Sequence, residues 1–267
     1  MHDKRMSETI ISGVKAGLRV LVTAAADGIG RVIADRFIDH GARVYVCDIA
    51  GESLARYLAL QPGALGMQVD VADEAAVDRM FDDLATKLGG LDVLVNNAGI
   101  AGPTAAVEQI APAEWRRTLD VNLSSHFYCT RRAVPMLKQT TDGAIINISS
   151  VAGRLGYAHR LPYAATKWAI VGMTQSLAKE LGPYGIRVNA ILPGIVAGPR
   201  IERVFAARAE LAGVSIEAER EAGLAKVSLR RMVSPEDVAN MALFLASPAG
   251  RNISGQALSV CGNVETL

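Results

Sequence analysis

The sequence predicts an α/β fold: one doubly wound parallel sheet of about seven strands, with helices on both faces. Three observations carry this. Short β-branched runs end in small or polar residues, a stretch of helical periodicity follows each run, and the two patterns alternate along the chain. No solenoid-type repeat or low-complexity linker interrupts them. With 267 residues, 50% of them hydrophobic, the chain can bury a full core. We expect an N-terminal extension over 1–15 and a single domain over 16–267.

Leu18–Thr23 reads as the first strand. The turn Ala24-Ala25-Ala26-Asp27-Gly28-Ile29-Gly30 leads into a helix marked by Ile33, Phe37 and Ile38. Small residues there let backbone N–H groups and the positive helix end meet a pyrophosphate, although a plain strand-to-helix connection has the same signature. The second strand, Ala42–Asp48, adds a further contact. Asp48 lies eighteen residues after Gly30, where a carboxylate accepts from adenosine ribose hydroxyls and repels a 2′-phosphate, favouring NAD over NADP. Leu65–Val71 is a third strand, with Asp70 near its end either as a cofactor contact or as a turn residue. Asp73 caps the helix running toward Leu88. Leu91–Val95 is a fourth strand that enters the small, polar turn Asn96-Asn97-Ala98-Gly99. Pro112–Lys138 reads as one long helix, with Asn122 in its middle despite a poor propensity and Pro135 near its end.

The apolar run Ile145–Ile148 delivers Ser149 and Ser150 to a strand's carboxyl end, where open α/β sheets place their ligands. Tyr163 then opens a helix to Leu181, and Lys167 stands one turn on, on the same face. A free tyrosine titrates near ~10, and lowering that by about 2–3 units requires roughly 3–4 kcal/mol. An ammonium about 4 Å away supplies roughly that much at an effective dielectric of ~20. The pair therefore suits acid/base work, while Tyr-x-x-x-Lys alone equally describes an ordinary surface pair. Gly182-Pro183 ends the helix, Ile186–Leu192 forms a sixth strand before Pro193-Gly194-Ile195-Val196, and Ile253–Val260 reads as the last strand.

Composition narrows the function classes. Twenty-eight basic and 27 acidic side chains give +1 without a block of like charge, so no nucleic-acid footprint is expected. Cys47, Cys129 and Cys261 are odd in number and set in apolar sequence, which suits buried reduced thiols rather than zinc or another metal site. No stretch reads as an export signal or reaches eighteen apolar residues, so a cytoplasmic protein without a membrane partner is expected.

Taken in order and spacing, Thr23…Gly28-Ile29-Gly30, Asn96-Asn97-Ala98-Gly99, Asn122, Ser150 and Tyr163-x-x-x-Lys167 resemble the short-chain dehydrogenase/reductase family over about residues 15–262. Five ordered motifs agree by chance far less often than any one of them. The resemblance implies a Rossmann-type sheet and hydride transfer between a nicotinamide and a carbinol or carbonyl carbon. Tyr163 would be the general acid/base and Lys167 would stabilise its phenolate. Ser150 would hold the substrate oxygen, and Asn122, in a local helix irregularity, would order a water near Lys167. Implied cofactor contacts are Thr23, Asp27, Gly28, Ile29, Gly30, Asp48, Asp70, Val71, Asn97, Ala98, Gly99, Tyr163, Lys167, Pro193, Gly194 and Val196. The two long helices imply a homotetramer or homodimer.

The chain departs from the family pattern in places. Ala24, Ala25 and Ala26 stand where glycine is usual, and a positive φ there would strain an alanine by about 1 kcal/mol or more. Asp27 replaces a frequent serine, which argues further for NAD. Gly198 replaces a frequent threonine and Cys261 a frequent aspartate. A substrate lid is expected at about 197–227, with Arg200, Arg203, Arg208 and Arg220; such charge is commonly just solvated, whereas an inward arginine suits a carboxylate, sulfonate or phosphate. The resemblance implies that the loop carrying Arg154, Tyr157, His159 and Arg160 edges the same pocket, and substrate contacts are expected at Ser150, Tyr163, His159 and Arg200. The reading is an NAD-dependent oxidoreductase for a small polar or acidic secondary alcohol, such as a sugar or hydroxy acid, and its ketone. Two alternatives stand beside it: an NADPH-dependent 3-oxoacyl thioester reductase, and a non-catalytic NAD-binding relative.

Overall fold

The computed structural model describes residues 14–264 and 266–267, so nearly all of the expected extension lies outside it. Its frame is a seven-stranded sheet: β1 (Arg19–Thr23), β2 (Arg43–Asp48), β3 (Ala64–Gln68), β4 (Val93–Asn96), β5 (Ala144–Ile148), β6 (Arg187–Pro193) and β7 (Ala257–Val260). Neighbours pair in parallel in the order β3-β2-β1-β4-β5-β6-β7. The chain winds outward from β1 to β3, returns to β4 on the other side of β1, and winds outward again. The reversal between β1 and β4 opens a crevice at the strands' carboxyl ends.

Strand alternation builds a core on each face. Val20 and Val22 of β1 join the cluster containing Ile33 and Phe37 of α1 (Gly28–Asp39), Leu54 of α2 (Gly51–Leu60) and Val238 and Leu245 of α9 (Pro235–Ala246). Leu21 points the other way, into the cluster with Met80 and Leu84 of α3 (Glu74–Leu88), Leu137 of α5 (Ser125–Leu137) and Leu181 of α6 (Leu161–Leu181). Each such side chain contributes about 1.5–3 kcal/mol when fully buried, so both faces hold their helices firmly. Asp73 caps α3 as expected, accepting from the N–H groups of Ala75 and Ala76.

Some element bounds differ from the sequence reading. The long helix is α4 (Pro112–Leu119), a π-helical turn over Asp120–Ser124, and then α5. The third strand stops at Gln68, because Asp70 turns the chain by accepting from the Ala72 N–H at 3.0 Å. The last strand starts only at Ala257, after Gly255 takes φ +73°. The region 197–227 holds two helices, α7 (Pro199–Ala212) and α8 (Ile216–Ala225). Cys47 and Cys129 are buried free thiols, but Cys261 is only half-buried. Among the described residues no helix is long and apolar enough to cross a membrane.

Candidate active site

The site collects at the carboxyl ends of β1, β4, β5 and β6. Thr23 closes β1, and its buried hydroxyl accepts from the N–H groups of Asn97 (2.9 Å) and Ala98 (3.0 Å). In return the Asn97 amide donates to the carbonyls of Thr23 (2.9 Å) and Ala24 (3.0 Å). Thr23 and Asn97 thus clamp the two turns of the crevice together, a bracing role that their motif alone did not distinguish from ligand contact. Ala24 takes φ 52°, so the strain expected of an alanine in this turn is present. Gly28 (φ +58°) has open space where a Cβ would stand, whereas a Cβ on Gly30 would collide with the Ala24 carbonyl oxygen. The first glycine leaves room at the helix end; the second lets α1 pack on its turn.

Asp27 caps α1 through the Gly28 N–H. At the end of β2, Asp48 is fixed by accepting from the N–H groups of Ala26 and Ala50, each at 3.0 Å. Asp70 pairs with Arg117 of α4 at 3.0 Å, and Val71 is buried in the core. Pro193 ends β6, the Gly194 N–H bonds the Val260 carbonyl at 2.9 Å, and Val196 bridges to Val233.

The two serines after β5 separate cleanly. Buried Ser149 donates to the Lys167 carbonyl at 2.8 Å and so ties the strand to α6. Ser150 accepts from the Ala152 N–H at 3.1 Å, and its hydroxyl is among the groups that draw the Tyr163 phenol down. Gly153, given no role from sequence, lets these elements meet: a Cβ there would stand 2.6 Å from the Lys167 carbonyl oxygen. Lys167 is 3% exposed, donates to the Ile148 carbonyl at 2.9 Å, and lies 5.7 Å from the centroid of the Tyr163 ring.

Electrostatics follow from that packing. Burial acts to raise the Tyr163 phenol, but Arg200, Lys167, the Ser150 hydrogen bond and Arg160 outweigh it, so the group sits below its ordinary value. Burial, helped by Arg200 and opposed by Tyr163, brings Lys167 down to about 8. The two titrate as a coupled pair.

Asn122 occupies the π turn, where the helical hydrogen-bond register slips by one residue. Its amide is fully engaged: it accepts from the Ile100 N–H at 2.7 Å and donates to the Ile100 carbonyl (3.0 Å) and the Thr166 hydroxyl (3.2 Å). A Cβ on Gly99 would lie 3.4 Å from both Asn122 Oδ1 and Lys167 Nζ, so this turn is pressed against the lysine. His159, at φ 59°, is exposed and bonds the Ala105 N–H through its carbonyl rather than its ring. Arg200 donates to the Gly99 carbonyl at 3.1 Å, with its guanidinium 5.8 Å from the Tyr163 ring centroid.

Ordered strand-end contacts with Ser150, Tyr163 and Lys167 in one cluster reproduce the motif order read from the sequence, and residues 23–263 match the family described as enoyl-(acyl carrier protein) reductase. The chain belongs to the short-chain dehydrogenase/reductase family. A short-chain dehydrogenase/reductase of Thermotoga maritima, 3-oxoacyl-[acyl-carrier-protein] reductase FabG, is 35% identical over 248 residues, 91% of this chain and 96% of the relative. D-beta-hydroxybutyrate dehydrogenase of Cupriavidus necator is 35% identical over 252 residues, 92% of this chain and 97% of the relative. Two solved family structures superpose closely. The NAD+-bound xylitol dehydrogenase has a TM-score of 0.90 at 28% identity, covering 93% of this chain and 99% of its own. A variant of actinorhodin polyketide ketoreductase with NADPH scores 0.89 at 34% identity, covering 94% and 98%. The short-chain dehydrogenase/reductase assignment makes this chain an oxidoreductase of the secondary alcohol/ketone type.

Proposed function

We propose that this enzyme is an NAD-dependent dehydrogenase that interconverts a small polar or acidic secondary alcohol and its ketone. One observation carries the reading: Tyr163 sits beside Lys167 and Ser150 in surroundings that favour its phenolate. In the oxidation direction Ser150 orients the substrate hydroxyl and Tyr163 accepts its proton. Lys167 and Arg200 stabilise the phenolate that takes up this proton, and Asn122 holds the Gly99–Ile100 turn against Lys167. When bound, NAD supplies the hydride acceptor.

The residues present fit that cofactor. The open helix end at Gly28 suits the pyrophosphate, and the fixed carboxylate of Asp48 suits the adenosine ribose. Asp27 adds negative charge at the same edge and disfavours a further phosphate. Gly99, Pro193, Gly194 and Val196 would line the nicotinamide end, with Ile29 and Ala98 along the crevice floor. The α7–α8 segment would serve as the substrate lid. Exposed Phe127 on α5 and Trp168 on α6 support pairing of those helices in a homodimer or homotetramer, and the buried free thiols suit the cytoplasm.

A second reading, an NADPH-dependent 3-oxoacyl thioester reductase, draws on the likeness to FabG. One panel separates the two. Sugars, hydroxy acids and cyclic alcohols with NAD and NADP, set against a 3-oxoacyl thioester with NADPH, are followed by nicotinamide absorbance. We expect oxidation of a polar alcohol with NAD; efficient thioester reduction with NADPH alone would overturn the proposal. Asp48→Asn should lower the NAD-over-NADP preference by roughly tenfold, about 1.4 kcal/mol.

A further inference from the structure

Arg160 is a buried cation, 2% exposed. Its guanidinium carbon lies 4.9 Å from the Tyr163 ring centroid and 5.1 Å from that of Tyr157. One terminal nitrogen donates to the Ala101 carbonyl at 2.8 Å, while Nε meets no acceptor. Among the described residues the ion pairs leave out both Arg160 and Arg200. Their neighbours are neutralised: Arg208 pairs with Glu219 at 2.8 Å and Arg220 with Glu202. Arg160 also stands at the N-cap of α6 without a side-chain cap bond, so the positive helix end adds to its field.

A buried guanidinium without a counter-charge is expensive, and burial does act against its protonation. Stacking on two tyrosine rings offsets part of that expense. The unengaged Nε beside Tyr163 is what a purely structural account leaves over. A 2′-phosphate of NADP does not account for it. Asp48 ends β2, three strand spacings from β5, or about 14 Å across the sheet. The charge instead lies against the Tyr163 ring, and the residues just before Arg160 in the chain, Tyr157, Ala158 and His159, line a cavity of about 180 Å³ together with Arg208, Leu211 and Glu219.

We propose that Arg160, assisted by Arg200 from the lid, binds a carboxylate carried by the substrate and sets the enzyme's preference for hydroxy acids over neutral alcohols. The planar guanidinium fork matches a carboxylate in two parallel hydrogen bonds. The proposal rests on the dehydrogenase reading and narrows its substrate class.

The test compares 3-hydroxybutyrate and 4-hydroxycyclohexanecarboxylate with their methyl esters as NAD-dependent substrates of the parent, Arg160→Gln, Arg160→Lys and Arg200→Ala. We expect the parent to favour an acid over its ester. Arg160→Gln should shrink that kcat/KM ratio by about 30-fold or more, Arg160→Lys should restore part of it, and Arg200→Ala should lower it less. A structural role would slow acid and ester together and leave the ratio unmoved, which overturns the proposal. So does a parent that handles ester and acid alike, and that outcome leaves the dehydrogenase reading intact. Calorimetric titration with the same acids in the presence of NAD reads the site without turnover. Binding that depends on Arg160 in a protein that oxidises neither form supports the anion site and refutes the dehydrogenase, whereas no Arg160-dependent binding of either acid refutes the anion site itself.

Discussion

Tyr163 is the residue on which the proposed chemistry turns, and its surroundings predict a pH profile. The rate of alcohol oxidation should rise through an ionisation that lies below the usual tyrosine range and belongs to the Tyr163–Lys167 pair. Arg200 is the first among the groups lowering that phenol. Arg200→Ala should therefore move the rising limb of the kcat profile to higher pH; a limb that stays in place would remove Arg200 from the field at the phenol. The grouping of residues here was largely legible: the structure brings Asn122, Ser150, Tyr163 and Lys167 together at one place. What spacing did not reveal is the division of labour between Ser149 and Ser150, since adjacent hydroxyls look alike until packing sends one into the Lys167 carbonyl and the other toward the phenol. Gly153 and Arg160 were hard to weigh for the same reason: a close approach and a missing counter-ion are properties of the folded neighbourhood.

At the scale of elements, the β1–α1 turn and the α4–α5 helix carry the main lessons. The three alanines signalled strain, and Ala24 bears it at φ 52°. Relief of left-handed strain on an alanine gains about 1–2 kcal/mol, and the added freedom of glycine in the unfolded chain returns about 0.4–1. Ala24→Gly should thus be neutral or stabilising by up to about 1.6 kcal/mol in urea unfolding, and should tighten NAD where the methyl crowds the pyrophosphate; clear destabilisation would show that the methyl packs usefully. Gly30→Ala predicts the opposite, because its Cβ would press into the Ala24 carbonyl oxygen and the turn would have to open. The break at Asn122 was foreshadowed by a residue of poor propensity in mid-helix, but its π geometry depends on the amide bonds to Ile100, which no local pattern encodes.

Across the whole molecule the parallel, doubly wound sheet was readable from the alternation of strands and helices, while the strand order and the switch between β1 and β4 that places the crevice come from the structure. Strand lengths at the edges were less readable, since β3 and β7 pair on one side only and their ends are set by turns. Beneath the crevice, His126 is 1% exposed; burial first, then Lys167, holds it down at about 3. Unfolded histidine titrates near 6.5, so between these values the unfolded chain binds the extra proton and stability is lost as the pH falls from about 6.5 toward 3. His126→Gln should flatten that limb by on the order of a few kcal/mol in urea midpoints taken across the range. An unchanged slope would show that carboxylates alone set the acid limit. The account as a whole rests on a phenol that exchanges the substrate proton, and its most direct test is the turnover of Tyr163→Phe beside NAD binding by the same protein. The expected result is a loss of about 10²–10⁴-fold in kcat with the NAD dissociation constant unchanged; oxidation at near the parent rate would contradict it.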